Sequence, residues 1–110
     1  MNRITLLCAA IAATFAVQLP LLAQPLDSDS IAAGRKVAAN ICANCHEISP
    51  TNYPTTVIGP KFDDIANLPS TTALSLKVFL RSSHNRMPNF ILSSADTDDV
   101  IAYILSLKRK

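Results

Sequence analysis

One short run, Cys42-Ala43-Asn44-Cys45-His46, constrains this chain more than any other. Two thiols at i and i+3 followed at once by an imidazole form C-x-x-C-H, the spacing by which a c-type haem is attached. Chemistry sets that spacing. Two thiols add across the two vinyl groups of one porphyrin, so they must lie close together and project to one side. The next residue sets its imidazole under the iron as the proximal ligand. The cofactor this predicts is one covalent haem c, held by Cys42 and Cys45 with His46 on the iron. A structural zinc site would need four protein ligands. The chain has three cysteines, and Cys8 lies in a segment expected to be removed. A thioredoxin-like redox pair belongs with a βαβ pattern, and no such pattern surrounds Cys42 and Cys45.

Residues 1–23 read as a secretory signal. Arg3 gives the positive start, Ile4 to Val17 is an uncharged and mostly apolar run, and Ala23 offers a small residue before Gln24. The alternative is a retained anchor, since Ile4 to Ala23 is long enough to span a bilayer. Gln18 and Pro20 interrupt its far end, and no basic stop-transfer cluster follows. Cleavage leaves residues 24–110 as one domain, with Cys42 and Cys45 as its only cysteines and no disulfide expected. A chain this short buries a modest core, and a haem adds a large apolar plate to pack against. Export fits the same chemistry and predicts a periplasmic location. The formal net charge is +2, or about +1 without Arg3. There is no strong basic field to suggest nucleic acid.

The residue on the far side of the iron decides between carrier and catalyst. Met or His there makes an electron carrier, whereas an open position makes a ligand binder. Within 24–110 the candidates are Met87 and His84. Met87 precedes Pro88, which pushes it toward an extended conformation and so toward a loop that can aim its sulfur at a fixed metal. A core gap-filler is the other use of a Met, but an Arg- and Asn-rich loop is a poor setting for one. His84 stands in the polar stretch Ser82-Ser83-His84-Asn85-Arg86 and reads as a helix-terminal residue.

Around these residues the pattern is helical. Asp27 to Ser30 are all good N-cap residues, and Ile31 to Ile41 reads as a helix with Gly34, Val37, Ala38 and Ile41 on one face. Gly34 costs stability in a helix interior, and the return expected is a close approach of two backbones. Glu47 to Gly59 is turn-rich and should be loop. Gly59-Pro60 is expected to bring backbone close to the haem, with the Pro60 carbonyl accepting from the non-ligating nitrogen of His46. An ordinary turn is the alternative. Pro60 to Asn67 reads as a short helix with Phe62 and Ile65 inward. Thr71 or Thr72 can cap a helix through Ser82 that carries Leu74, Val78, Phe79 and Leu80. Ser93 or Ser94 can cap a last helix, with Val100, Ile101, Tyr103, Ile104, Leu105 and Leu107 on its buried side and Lys108-Arg109-Lys110 at its negative end. No alternating strand pattern occurs.

Taken together, Gly34 ahead of Cys42, the motif Cys42–His46, Gly59-Pro60, Met87-Pro88 and Tyr103 resemble, in order, a class I (mitochondrial-type) c-type cytochrome. The tail from Met87 to Leu105 looks like small bacterial periplasmic monohaem members. The resemblance covers almost all of 24–110. It implies an all-α cytochrome c fold, three to five helices wrapped around one haem, with Gly34 and Tyr103 meeting where the first and last helices cross. The chain departs from the pattern in having Ala38 where many members have an aromatic, and in having no Trp. Tyr53, Asn52 or Arg86 could replace the tryptophan that contacts a propionate in some members.

The function expected is one-electron transfer in a periplasmic respiratory chain, with no catalytic residue. Redox proteins (an oxidase, a reductase or a dehydrogenase) are the expected partners, and the membrane is met only through transient contact with membrane complexes. A haem subunit of a periplasmic dehydrogenase, for instance a sulfite-oxidising one, is the alternative. A peroxidase or gas-binding protein is a third, and it would need Met87 to leave the iron easily.

Overall fold

A computed structural model describes residues 26–49, 59–82 and 86–110. The leader 1–23, Asn52 and Tyr53, and His84 lie outside the described residues. Among the described residues, four α-helices and one π turn make up the regular structure: α1 (Ser28–Val37), the π turn (Ala38–Cys42), α2 (Phe62–Asn67), α3 (Ala73–Leu80) and α4 (Ser94–Ser106). No strand occurs among the described residues. The fold is all-α.

The last helix organises the rest. α1 packs chiefly on α4, and α2 and α3 each pack on it as well. Because neighbours surround it, α4 buries Val100, Ile101, Ala102, Tyr103 and Ile104 consecutively rather than along a single stripe. Each large apolar side chain buried there contributes roughly 1.5–3 kcal/mol. Leu105 and Leu107 are only partly buried against the core. Ser93 starts the helix. Its Oγ accepts from the Asp96 N–H at 3.0 Å and donates to the Asp96 carboxylate at 2.7 Å, so one orphan donor of the first turn is satisfied.

Gly34 is the buried residue of α1. A Cβ there would overlap the Asp99 carbonyl and stand 2.9 Å from the Val100 nitrogen. The close approach expected of this glycine is therefore made to the α4 backbone at Asp99–Val100, one turn before Tyr103.

Three local expectations need correction. The first helix does not continue as a regular α-helix to Ile41. It begins earlier, at Ser28 with Asp27 as N-cap, and after Val37 it widens into the π turn, where the Ala43 N–H donates to the Ala38 carbonyl at 2.9 Å. On α3, Leu76 is the buried residue, while Leu74, Val78 and Phe79 are exposed. That segment, ALSLKVFL, is apolar nearly all round, so periodicity alone could not choose the face that meets α4. Last, α3 ends at Leu80, with Arg81 as its C-cap, rather than running through Ser82. The basic tail follows the C-terminal end of α4 as expected and also reaches neighbouring segments. Lys108 Nζ donates to the Thr71 carbonyl at 2.8 Å, and Arg109 pairs with Asp63 at 2.6 Å.

Caps fix the ends of α3. Thr72 Oγ1 accepts from the Ser75 N–H at 3.0 Å, and Ser75 Oγ accepts from the Thr72 N–H at 2.8 Å. This is a reciprocal capping box. No helix among the described residues is long and apolar enough to cross a membrane.

Candidate functional site

The π turn delivers Cys42 to the core. Its extra residue per turn displaces the chain locally, as π turns often do beside functional groups. The Cys42 carbonyl then accepts from both the Cys45 N–H at 3.0 Å and the His46 N–H at 2.9 Å. One carbonyl therefore gathers the three residues of the motif. Cys42 is buried and Cys45 half-buried, and neither is in a disulfide. Burial pushes the Cys42 thiol up to about 11. Among the described residues no cluster of His, Cys, Asp or Glu could hold a metal ion.

The loop after the motif is laced to the segment before α2. The Gly59 N–H donates to the Cys45 carbonyl at 3.0 Å, and the Phe62 N–H donates to the Glu47 carbonyl at 2.9 Å. Lys61 and Glu47 form an ion pair at 3.0 Å across the same seam. Between these links, His46 Nδ1 lies 2.7 Å from the Pro60 carbonyl oxygen. A carbonyl can only accept, so Nδ1 carries the proton and donates. In the neutral ring, that leaves the lone pair on Nε2. Gly59 lies against the same ring. A Cβ there would stand 2.6 Å from Nδ1 and 2.7 Å from Nε2 of His46, so a side chain would displace the imidazole. The expected Pro60 bond is present, and glycine is required for close approach.

Met87 is half-buried. It lines a cleft together with Ile41, Cys42, Leu80, Phe90 and Leu92. The chain thus brings Met87 beside Cys42 although they are distant in sequence. Cys45, His46, Gly59 and Pro60 form the adjoining cluster. Arg86, one of three candidates for a propionate contact, is exposed.

These residues fit a haem c on four counts. Two unpaired thiols sit at the attachment spacing, an Nε2 lone pair is held by a bond at Nδ1, a glycine leaves the imidazole room, and an apolar cleft holds a thioether. The model of the cytochrome c family matches residues 31–108. The chain belongs to the cytochrome c family. It is also similar to cytochrome c-552 from Bradyrhizobium diazoefficiens, with 33% identity over 75 residues, which is 68% of this chain and 72% of that protein. No solved structure matches it. It is a class I c-type cytochrome with covalent haem c, a monohaem electron carrier that exchanges electrons with redox partners.

Phe62 and Tyr103 were both expected to face the core, but two of their contacts escaped sequence reasoning. The Phe62 ring stands 5.4 Å from the His46 ring, tilted by 54°. Beside Phe62, the Tyr103 hydroxyl donates to the Ile48 carbonyl at 2.7 Å. A usable signal existed for the first alone, because Phe62 follows Pro60 by two residues. Nothing in the local sequence pairs Tyr103 with Ile48.

Proposed function

We propose that this cytochrome carries single electrons in a periplasmic respiratory chain, exported by residues 1–23 and working as the domain 24–110. In this reading Cys42 and Cys45 would hold the porphyrin as thioethers, His46 Nε2 and the Met87 sulfur would hold its iron, and Gly59 and Pro60 would line the pocket beside the histidine. When bound, the haem supplies a ferric–ferrous couple that takes up or releases one electron.

Each protein group then has a distinct task. Pro60 holds the proton of His46 at Nδ1, which fixes the tautomer and raises the basicity of the ligating nitrogen. Gly59 lets the backbone approach the imidazole. Ile41, Leu80, Phe90 and Leu92 give the Met87 side an apolar lining that discourages water. A thioether ligand from Met87 would raise the potential of the bound haem relative to a second histidine. Met87 is the observation that carries the reading. It is the one methionine of 24–110, and it faces the cleft that Cys42 lines. With His46 and Met87 both holding the iron, the protein would keep its bonds unchanged during transfer, so reorganisation would be small. Encounters with redox partners are weak and bury little surface, as a shuttling carrier requires.

The test is spectroscopic. Purified exported protein should show the mass of one added haem, a sharp α band when reduced, and a weak sulfur-to-iron band in the far red when oxidised. Carbon monoxide added to the reduced protein at neutral pH should leave its spectrum unchanged. Met87→Leu should abolish the far-red band, admit carbon monoxide and lower the midpoint potential. A Met87→Leu spectrum identical to wild type would refute the assignment. A native extract in which the haem co-elutes with a larger enzyme would make the chain a subunit rather than a free carrier.

A further inference from the structure

We propose that Phe62 is a positioning residue for His46, setting the rotation of the imidazole plane through a chain of contacts that closes on α4. The inference rests on the reading of His46 as the proximal ligand. One hydrogen bond at Nδ1 fixes where that nitrogen points, yet a ring pinned at one atom can still rock about the bond. Two further contacts remove that freedom. Gly59 packs against the ring so closely that a Cβ there would overlap Cε1 and stand 2.6 Å from Nδ1. The Phe62 ring is the second contact, at 5.4 Å between centroids and 54° between planes.

Phe62 is itself immobilised. It is 4% exposed. Its N–H donates to the Glu47 carbonyl at 2.9 Å, the residue directly after His46. Its ring stands 6.4 Å from the Tyr103 ring at 52°. Tyr103 in turn ties its hydroxyl to the Ile48 carbonyl at 2.7 Å, two residues after His46. The path therefore leaves His46 through its ring, passes through Phe62 and Tyr103, and returns to the main chain beside His46. Such a closed circuit resists rotation at each joint, because a swing of the imidazole must push one ring into the next in a close-packed interior. Each planar ring fixes the tilt of its neighbour, which an aliphatic side chain of similar size would not do.

The orientation of an axial imidazole is read directly by the ferric iron. It sets the anisotropy of the electron paramagnetic resonance signal and the spread of the paramagnetically shifted haem methyl resonances. The experiment compares holoprotein carrying Phe62→Leu, Tyr103→Phe or Leu76→Ala with wild type. Phe62→Leu keeps an apolar side chain but loses the plane. Tyr103→Phe keeps both rings and loses the Ile48 bond. Leu76→Ala opens the core on α3, outside the circuit, and controls for stability alone. The expected result is an unchanged reduced α band throughout, which shows intact ligation. The g-values and methyl resonances should shift clearly in Phe62→Leu, shift in the same direction by less in Tyr103→Phe, and hold at wild-type positions in Leu76→Ala. Where Phe62→Leu does not yield holoprotein, the Tyr103→Phe arm decides. Wild-type g-values and methyl positions in both folded circuit variants would overturn the proposal while leaving His46 as ligand. Equal shifts in Leu76→Ala would overturn it too, by showing a general loosening. A wild-type protein with no low-spin ferric signal would overturn the ligand assignment first and this inference with it.

Discussion

Replacing Gly34 with alanine tests how closely α1 and α4 are built. The new Cβ would overlap the Asp99 carbonyl and stand 2.9 Å from the Val100 nitrogen, where ordinary contact to carbon is about 3.5–4.0 Å. Both obstructing groups are main chain on a buried helix, so no flexible side chain can swing aside. The helices must part by about 1 Å, and a gap of that size forfeits roughly a quarter to a half of each contact's attraction along the seam. Overpacking of this kind costs about 1–3 kcal/mol, and rigid backbone on both sides places it near the upper figure. Alanine in place of glycine within a helix returns about 1 kcal/mol. The net loss is about 2 kcal/mol, which lowers the melting temperature of a domain this size by about 8–16 °C. Circular dichroism melts of the holoprotein measure it, with haem absorbance checking that loading is equal. Ala32→Gly, on the exposed side of α1, should cost about 1 kcal/mol by propensity alone. A Gly34→Ala protein that melts at or above wild type would show that propensity governs and that the helices do not meet as closely as described.

Other outcomes follow from the same geometry. Gly59→Ala drives a methyl into the His46 ring, so holoprotein yield should fall several-fold and the reduced α band should broaden, both read by absorbance. Thr72→Ala removes one half of the α3 capping box and should cost about 1 kcal/mol in chemical denaturation. Burial raises the Tyr103 hydroxyl above 10.0, opposed in part by the Arg35 charge. Its stabilisation is complete below pH 10 and is lost as pH rises through the native value, because the unfolded chain releases the proton first. Denaturation midpoints from pH 8 upward should therefore fall above pH 10, and Tyr103→Phe should flatten that fall after starting from a lower stability.

Sequence alone determined the chemistry and the class of fold. The spacing of Cys42, Cys45 and His46 is a covalent constraint, set by the dimensions of one porphyrin, so it is legible without any knowledge of the fold. The helix caps were narrowed to neighbouring pairs of residues, with Thr72 and Ser93 taking the two roles, because capping depends on a side chain and a backbone donor two or three residues away. Gly34 was recognisable because a glycine inside a helix needs a reason. What the tertiary structure decided was each matter that depends on partners distant in sequence. It chose Leu76 rather than Leu74, Val78 or Phe79 as the buried residue of α3, since an all-round apolar helix takes its inward face from the neighbour it meets. It turned the end of the first helix into a π turn at Cys42. It carried the basic tail across to Asp63 and Thr71. It also joined His46, Phe62, Tyr103 and Ile48, four groups from three segments that local pattern cannot bring together. Covalent spacing and capping act over a few bonds and are written along the chain. Burial and ring contacts are properties of the assembled core, and they exist only once the helices have closed on one another.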